Sequence, residues 1–290
     1  MHKGLIMNKP FKHILLYSIQ KKAKHVILET IVWLETSGYQ VLIDAKTNAF
    51  LDLAMPERVC KHEKNIDLIM VVGGDGSILS ASKKAIQLNI PIMGVNTGKL
   101  GFLADHDPTN YKEIMETLTG QYDLEQRSML NIDIGADSYA ALNEVMVSRK
   151  EAGRIIILKL FINDRYICGY SCDGLMITTP TGSTAHALSA GGPIMHPDSS
   201  SLLIVPVCPH KLNSRPIVIP NHQQIKIQID FKEKITPIVS MDGFNQLDIP
   251  QDEVVLVNHH PKTLHLVRSK RYHFYETLKR KLHWEEDWSA

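Results

Sequence analysis

The chain has few cysteines and no paired cysteine motif. Its 290 residues contain four cysteines (Cys60, Cys168, Cys172 and Cys208), and none of them forms a C-x-x-C pair. We expect such isolated cysteines to be small buried hydrophobic residues in a reducing compartment. The histidines show neither an H-E-x-x-H motif nor the spacing of a zinc finger. The sequence therefore argues against a structural zinc site.

The chain also lacks an excess of charge, a long apolar run and an internal repeat. Its formal net charge is +1, so nothing requires a nucleic acid or an acidic membrane surface as partner. No apolar segment approaches the ~20 residues that span a bilayer. Residues 1–11 lack the apolar core and cleavage site of a signal peptide. We therefore expect a cytoplasmic globular protein that binds neither nucleic acid nor membrane.

Two different patterns divide the chain near residue 125. Before it, strand-like and helix-like segments alternate, which is typical of a parallel α/β sheet. After Gln126, short strand candidates follow one another with turn residues between them, which indicates a mostly antiparallel β domain. Strands are expected over 13–19, 40–44, 68–72, 90–95, 130–134, 141–148, 155–162, 166–170, 175–179, 201–207, 216–219, 225–229 and 254–257. Helices are expected over 23–36, 78–88, 108–120 and 272–282, and we expect the last to pack on the first domain.

The most informative segment is Gly73-Gly74-Asp75-Gly76, which directly follows the apolar run 66–72. Three glycines there let the backbone turn sharply and approach a ligand, and free N–H groups in such a loop can hold phosphate oxygens. We expect Ser77 to cap the following helix. A carboxylate among phosphates has two natural roles, either taking a proton from an attacking hydroxyl or holding a metal. The alternative is a tight turn with a solvated Asp75.

Three further polar segments interrupt the predicted strands. The run Asn-Thr-Gly-Lys-Leu-Gly-Phe-Leu at 96–103 follows the fourth strand. It should lie beside the glycine loop, because the carboxyl ends of parallel strands form one binding edge. Leu-Asn-Glu-Val at 142–145 places two polar residues inside a β-like run. Asp173-Gly174 leads into 178–193, a segment dense in small hydroxyls and glycines, with a short helix expected near Ser183. Such a segment could contact sugar hydroxyls and phosphates.

Together, these ordered motifs closely resemble the NAD kinase family over residues 13–283. The resemblance implies a Rossmann-like α/β domain at 1–125, a β-sandwich NAD-binding domain at 126–270 and a C-terminal helix within 271–290. It implies transfer of the γ-phosphoryl group of ATP to the 2′-hydroxyl of the adenosine ribose of NAD, giving NADP. It further implies Mg²⁺ or another divalent cation with ATP, and assembly as a homodimer or homotetramer.

The resemblance also implies roles for individual residues. Asp75 is the implied proton acceptor, and Gly76 lines the NAD site beside it. The other implied NAD contacts are Asn143, Glu144, Arg154, Ser171, Asp173, Thr184, Ala185, His186, Ala187, Leu188 and Ser189. Asn143 and Glu144 match ribose-binding positions, and 184–189 matches the adenine side. His186 stands where relatives often have Tyr, and its imidazole could stack on adenine with less area. In 242–246, the residue equivalent to a family glutamine stays unassigned.

Other interpretations stay open from sequence alone. Lipid and sugar kinases also use Gly-Gly-Asp-Gly loops, and a non-catalytic NADP-binding sensor could keep the same fold. The lack of an amphipathic docking stretch argues against a lipid kinase, and the intact Asp75 argues against a sensor. No G-x-x-x-x-G-K-[ST] motif occurs, so the chain is not a P-loop enzyme. Arg154 could instead lie at a solvated hairpin tip, and Asp173-Gly174 could be an ordinary turn.

Overall fold

The computed structural model describes residues 8–60, 65–98, 101–151, 153–231 and 235–284. The chain forms two compact units, Met1–Gln126 with Leu264–Ala290, and Arg127–Thr263. Among the helices of the described residues, none has the length and apolar character needed to cross a membrane. Lys99 and Leu100 of the predicted Asn-Thr-Gly motif lie outside the described residues.

The strands, in chain order, are β1 (His13–Tyr17), β2 (Gln40–Ile43), β3 (Leu68–Val72), β4 (Ile92–Val95), β5 (Tyr122–Arg127), β6 (Leu130–Ile134), β7 (Asp137–Ala141), β8 (Glu144–Arg149), β9 (Ile156–Ile162), β10 (Arg165–Cys172), β11 (Gly174–Thr178), β12 (Ser201–Val207), β13 (Ile217–Pro220), β14 (Ile225–Ile229), β15 (Pro237–Met241), β16 (Asn245–Asp248), β17 (Val254–His259) and β18 (Leu264–Ser269). The α-helices are α1 (Lys24–Thr36), α2 (Ala45–Leu51), α3 (Asp75–Leu88), α4 (Tyr111–Leu118), α5 (His186–Ser189) and α6 (Phe274–Leu282).

The first unit is built on a sheet with the strand order β2-β1-β3-β4-β18-β5. Strands β1, β2, β3, β4 and β18 pair in parallel. All side chains of β3 are buried, as expected for the central strand of a sheet covered on both faces. On α1, Ile27, Ile31 and Leu34 follow helical spacing and are buried in the core of this unit.

The second unit is a β-sandwich of two antiparallel six-stranded sheets. Their strand orders are β10-β9-β14-β17-β6-β7 and β13-β12-β11-β8-β15-β16. Alternate residues of β9, Ile156, Leu158 and Leu160, point into a core that also contains Leu175 and Ile177 of the facing sheet. The predicted fold class, an α/β domain with a β-sandwich domain, is confirmed.

One strand belongs to a different unit from the one that its sequence position suggested. The expected boundary at residue 270 put Leu264–Ser269 with the sandwich, whereas β18 pairs in parallel with β4 in the first sheet. The chain thus returns to the first unit before α6. Helix α6 belongs to that unit as well, and the ring of Phe274 lies 6.4 Å from that of Phe102.

Two local predictions were wrong. Ser77 does not cap α3, because the helix begins at Asp75 with Gly74 at the N-cap position and no side-chain capping bond. Ser77 is instead buried in the first turn. The predicted strand 141–148 is broken, since β7 ends at Ala141 and β8 begins at Glu144. The expected burial of the cysteines holds for Cys172, whereas Cys60 and Cys168 are half-buried and Cys208 is exposed.

Candidate active site

Asp75 lies where the central strand of the first sheet passes into a helix. It is the first residue of α3, directly after the turn that ends β3. A Cβ atom at Gly73 would lie 2.2 Å from Ser77 Oγ, so only glycine allows this close approach of loop and helix. Gly76 follows in the first helical turn and is half-buried. The N-terminus of α3 therefore presents free N–H groups and positive potential next to Asp75.

The carboxylate of Asp75 accepts hydrogen bonds from three backbone N–H groups, those of residues 102–104 at the end of the Asn-Thr-Gly run. Phe102 N–H donates to Oδ2 at 2.8 Å, and the N–H groups of Leu103 and Ala104 donate to Oδ1 at 2.9 and 3.1 Å. A Cβ atom at Gly101 would lie 2.1 Å from Asp75 Oδ1. The two loops expected to meet at the carboxyl edge of the sheet therefore do meet, through this carboxylate.

In the second unit, Asn143 and Glu144 lie at the break between β7 and β8. The buried carboxylate of Asp242 shapes this break. Its Oδ1 accepts the N–H groups of Asn143 and Glu144 at 2.7 and 3.2 Å, and its Oδ2 accepts that of Leu142 at 3.0 Å. The sequence predicted no such role for Asp242, since only the equivalent of a family glutamine was considered within 242–246 and it stayed unassigned.

The hydroxyl-rich segment 178–193 also stabilises the break between β7 and β8, through hydrogen bonds to carbonyl groups of the break. Thr178 Oγ1 donates to the carbonyl of Asn143 at 2.8 Å, and Thr179 Oγ1 donates to that of Leu142 at 2.6 Å. A Cβ atom at Gly182 would lie 2.3 Å from the carbonyl oxygen of Asn143. Part of the segment that was expected to contact a ligand thus positions Asn143 and Glu144 instead.

Asn143 and Glu144 each carry one buried side-chain acceptor atom that no described residue pairs with. Asn143 Oδ1 and Glu144 Oε2 have no hydrogen-bond partner within the described part of the chain. Glu144 Oε1, by contrast, lies 2.8 Å from Nδ1 of His186. A buried unpaired acceptor is costly, typically about 1–3 kcal/mol. Two of them on consecutive residues mark 143–144 as a candidate site for a ligand that donates hydrogen bonds.

The pKa of Glu144 reflects this environment. Burial raises the pKa of its carboxyl above the ordinary value, and the charge of Asp242 adds to that rise. The hydrogen bond from His186 and its charge oppose the rise without cancelling it. The His186 side chain itself is 71% exposed. The ionisation of Glu144 therefore depends on a residue that is in contact with solvent.

The predicted adenine-side segment has two parts with different exposure. A 3₁₀ turn over Thr181–Thr184 precedes α5, in place of the single short helix expected near Ser183. Thr184, Ala185 and Leu188 are half-buried, while His186 and Ser189 are exposed. Ala187 is fully buried among the apolar side chains of Met176, Met195, Leu203 and Val205. Its side chain therefore belongs to the core.

Three other predicted positions lie elsewhere in the second unit. Asp173 joins β10 to β11 and pairs with Arg149 at 2.8 Å between Oδ1 and Nη2. Ser171 is a β10 residue whose carbonyl accepts the N–H of His210 at 2.9 Å. Arg154 is exposed between β8 and β9. Hydrogen bonds from Thr236 are the main cause of the lowered pKa of Glu151, and the charge of Arg154 contributes least. In the described ranges, no group of three or more His, Cys, Asp or Glu side chains is arranged to hold a metal.

Comparison with known proteins shows matches in both units. The chain matches the model of the ATP-NAD kinase N-terminal domain over residues 4–122 and that of the ATP-NAD kinase C-terminal domain over residues 142–269. An NAD kinase of Legionella pneumophila is 38% identical over 291 positions, covering 96% of this chain and 98% of that protein. An NAD kinase of Coxiella burnetii is 42% identical over 229 positions, covering 77% of each.

Two solved structures share the fold. Yeast NADH kinase complexed with NADH has a TM-score of 0.82 at 21% identity, covering 96% of this chain and 89% of that one. An NAD kinase from Archaeoglobus fulgidus in complex with ATP has a TM-score of 0.73 at 23% identity, covering 93% and 98%.

Proposed function

This chain belongs to the ATP-NAD kinase family, and on that premise we propose that it transfers the γ-phosphoryl group of ATP to the 2′-hydroxyl of the adenosine ribose of NAD, giving NADP. The observation that carries this proposal is the position of Asp75 at the N-terminus of α3, inside a glycine loop. Helix N-termini and such loops bind phosphate oxygens. A fixed carboxylate in that place suits proton transfer to it from a hydroxyl that attacks a phosphoryl group.

In this proposal, Asp75 Oδ2 takes the proton. An ionised carboxylate offers about four acceptor positions, and Oδ1 already accepts two backbone N–H groups while Oδ2 accepts one. The bonds made by the described residues leave a further acceptor position on Oδ2. As the 2′-oxygen bonds to the γ-phosphorus, its proton passes to Oδ2 and ADP leaves. A positioned general base contributes about 10²–10⁴-fold to the rate.

The phosphates of ATP would be held by the N–H groups around Gly76 at the start of α3. Mg²⁺ or another divalent cation would enter with ATP and neutralise charge on the phosphates as they react. The free N–H groups of the first turn fit phosphate oxygens, whereas the three N–H groups of 102–104 are already bound to Asp75. Phosphate binding and orientation of the base are therefore assigned to separate N–H groups.

We propose that Asn143 Oδ1 and Glu144 Oε2 accept hydrogen bonds from ribose hydroxyls of NAD. Their burial without a partner among the described residues supports this role. His186 would orient Glu144 through the bond to Oε1. Gly76, Arg154, Ser171, Asp173 and the backbone of 184–189 remain proposed contacts of the dinucleotide, with the side chain of Ala187 excluded by its burial.

We further propose that the protein is a homodimer or homotetramer in the cytoplasm. Edge strand β10 exposes Tyr166 and Ile167, and edge strand β13 exposes Val218. Edge strands with apolar side chains are usually covered by another chain or element. The four free cysteines fit a reducing compartment. Light scattering of the pure protein at micromolar concentration tests the assembly, and an active monomer would contradict it.

The activity is tested by incubating the pure protein with NAD, ATP and Mg²⁺ and measuring NADP with an NADP-specific dehydrogenase. We expect one ADP for each NADP, and no phosphorylated product from an NAD analogue that lacks the adenosine 2′-hydroxyl. ATP turnover with a sugar or a diacylglycerol but not with NAD would assign a different kinase. NADP binding without any NADP formation would assign a sensor.

A further inference from the structure

Arg268 is a fully buried cation near Asp75 that neither the motifs nor the family resemblance identified. It lies on β18, and its side chain is 1% exposed. Arg268 Nη2 donates to the carbonyl of Phe102 at 2.6 Å, and Nη1 donates to that of Leu103 at 2.9 Å. These are carbonyls of the same loop whose N–H groups bind Asp75. One loop thus connects a buried cation to the candidate base.

The connection passes through two consecutive peptide groups. The peptide that joins residues 102 and 103 has its oxygen on Arg268 and its N–H on Asp75 Oδ1. The peptide that joins 103 and 104 also has its oxygen on Arg268 and its N–H on Asp75 Oδ1. Because a trans peptide is planar, with C=O and N–H pointing in opposite directions, fixing the oxygen fixes the direction of the N–H. Both ends of each peptide meet a charged group, which strengthens the bonds.

Two carboxylates and one aromatic ring also hold the guanidinium group of Arg268 in place. Arg268 Nε donates to Glu125 Oε2 at 2.9 Å, and Nη1 lies 3.2 Å from Asp105 Oδ1. The ring of Tyr272 covers its flat face, with 3.9 Å between Cζ and the ring centroid. Burial alone would lower the pKa of Arg268, but the interactions with Asp105, Tyr272 and Glu125 together outweigh it and hold that pKa above its ordinary value. Arg268 is therefore a fixed, permanently charged group.

We propose that Arg268 is a positioning residue, which orients the peptide groups of 102–104 so that they fix the Asp75 carboxylate for proton transfer. This proposal rests on the proposed role of Asp75 as the proton acceptor. Arg268 touches neither substrate in this account, since it acts through the loop. A role confined to the stability of β18 would make a different prediction, because loss of stability alone changes neither the direction of the two N–H groups of residues 103 and 104 nor the rate of the phosphoryl-transfer step.

The test compares Arg268→Lys and Arg268→Met with the wild-type protein and with Ile31→Ala. Lysine keeps the charge but loses the two-pronged geometry, and methionine keeps part of the volume. Ile31 is buried in α1 of the same unit, so its truncation controls for lost stability. Four quantities are measured: the melting temperature, kcat, the KM values for NAD and ATP, and hydrogen exchange of the 102–104 amides without substrate.

We expect kcat to fall about 10²-fold in Arg268→Met, the usual effect of a misplaced catalytic group, with a smaller fall in Arg268→Lys. Both KM values should stay unchanged, and the 102–104 amides should exchange faster than in the wild type. Ile31→Ala should lose melting temperature but keep kcat and the exchange of these amides.

Three results would overturn the proposal: an unchanged kcat, a fall in kcat no larger than that in Ile31→Ala, or unchanged exchange at 102–104. The exchange measurement also separates this proposal from the proposed function. A wild-type protein that forms no NADP contradicts the function, and exchange alone then decides whether Arg268 orients the loop.

Discussion

His186 Nδ1 lies 2.8 Å from Oε1 of the buried Glu144. The sequence suggested that His186 stacks on adenine, whereas the structure gives it an acidic partner at the proposed ribose site. The pKa of Glu144 is raised by burial and lowered by His186. Removal of His186 must therefore raise the pKa of Glu144 further. If ionised Glu144 accepts a ribose hydroxyl, affinity for NAD increases as pH rises through this pKa.

The first prediction concerns His186→Ala. In the wild type, the KM for NAD should fall as the pH rises through the pKa of Glu144. In His186→Ala this fall should occur at a higher pH, because the pKa of Glu144 is raised. Between the wild-type pKa of Glu144 and the raised pKa in the variant, the KM of the variant should be about tenfold or more above that of the wild type, because a hydrogen bond to a charged group contributes about 1.5–3 kcal/mol. His186→Asn, which keeps a donor, should restore part of the affinity. A KM that rises equally at every pH would instead favour stacking on adenine.

The second prediction concerns the contact between Gly101 and Asp75. A Cβ atom at Gly101 would lie 2.1 Å from Asp75 Oδ1, whereas one at Gly98 would meet only the flexible end of Lys22 at 3.3 Å and Asn96 Oδ1 at 3.9 Å. Gly101→Ala must therefore displace the carboxylate, and a displacement of about 1 Å costs roughly 10²-fold in rate. Gly98→Ala should have a much smaller effect on kcat. Equal kcat values for the two variants would contradict the assigned role of Asp75.

The third prediction concerns acid stability and Asp105. Burial alone would raise the pKa of Asp105, but the charge of Arg268 and the interactions with His106 together outweigh it and hold the pKa below the ordinary value of 3.8. The ion pair thus stabilises the fold above pH 3.8, and this contribution is lost as pH falls through the lowered pKa. Asp105→Asn should lower the free energy of unfolding by about 3–5 kcal/mol near neutral pH.

Chemical denaturation at several pH values measures this difference. The difference in the free energy of unfolding between wild type and Asp105→Asn should be largest near neutral pH and should decrease well below pH 3.8. A gap that stays constant over the whole pH range would show that Asp105 contributes through packing rather than through its charge.

Much of the fold was predictable because strong periodic patterns dominate it. The continuous apolar segment of β3 and the helical spacing in α1 indicated an α/β unit, and short alternating strands indicated a β unit. Strand β18 was missed, since His265 and Arg268 interrupt its apolar pattern. The carboxylates and carbonyls that hold the buried charge of Arg268 are distant in sequence, and no local pattern reveals them. The polar strand β5 was missed for the same lack of a pattern.

The candidate site was predictable to a similar degree. Asp75, Asn143 and Glu144 stood in recognisable motifs, and the carboxyl ends of neighbouring parallel strands placed the loops of 73–76 and 96–103 together. The role of Asp242 could not be read from sequence, because it depends on the pairing of β8 with β15, and β15 was not predicted. The bond between His186 and Glu144 depends equally on tertiary structure.

The most direct test of the central claim is the single-turnover rate of NADP formation by Asp75→Asn at saturating NAD and ATP. Asparagine keeps one acceptor oxygen for the N–H groups of 102–104 but cannot take the proton. We expect a rate about 10²–10⁴-fold below that of the wild type, with NAD affinity measured by calorimetry essentially retained. A folded Asp75→Asn protein that forms NADP at nearly the wild-type rate would contradict the role of Asp75 as proton acceptor.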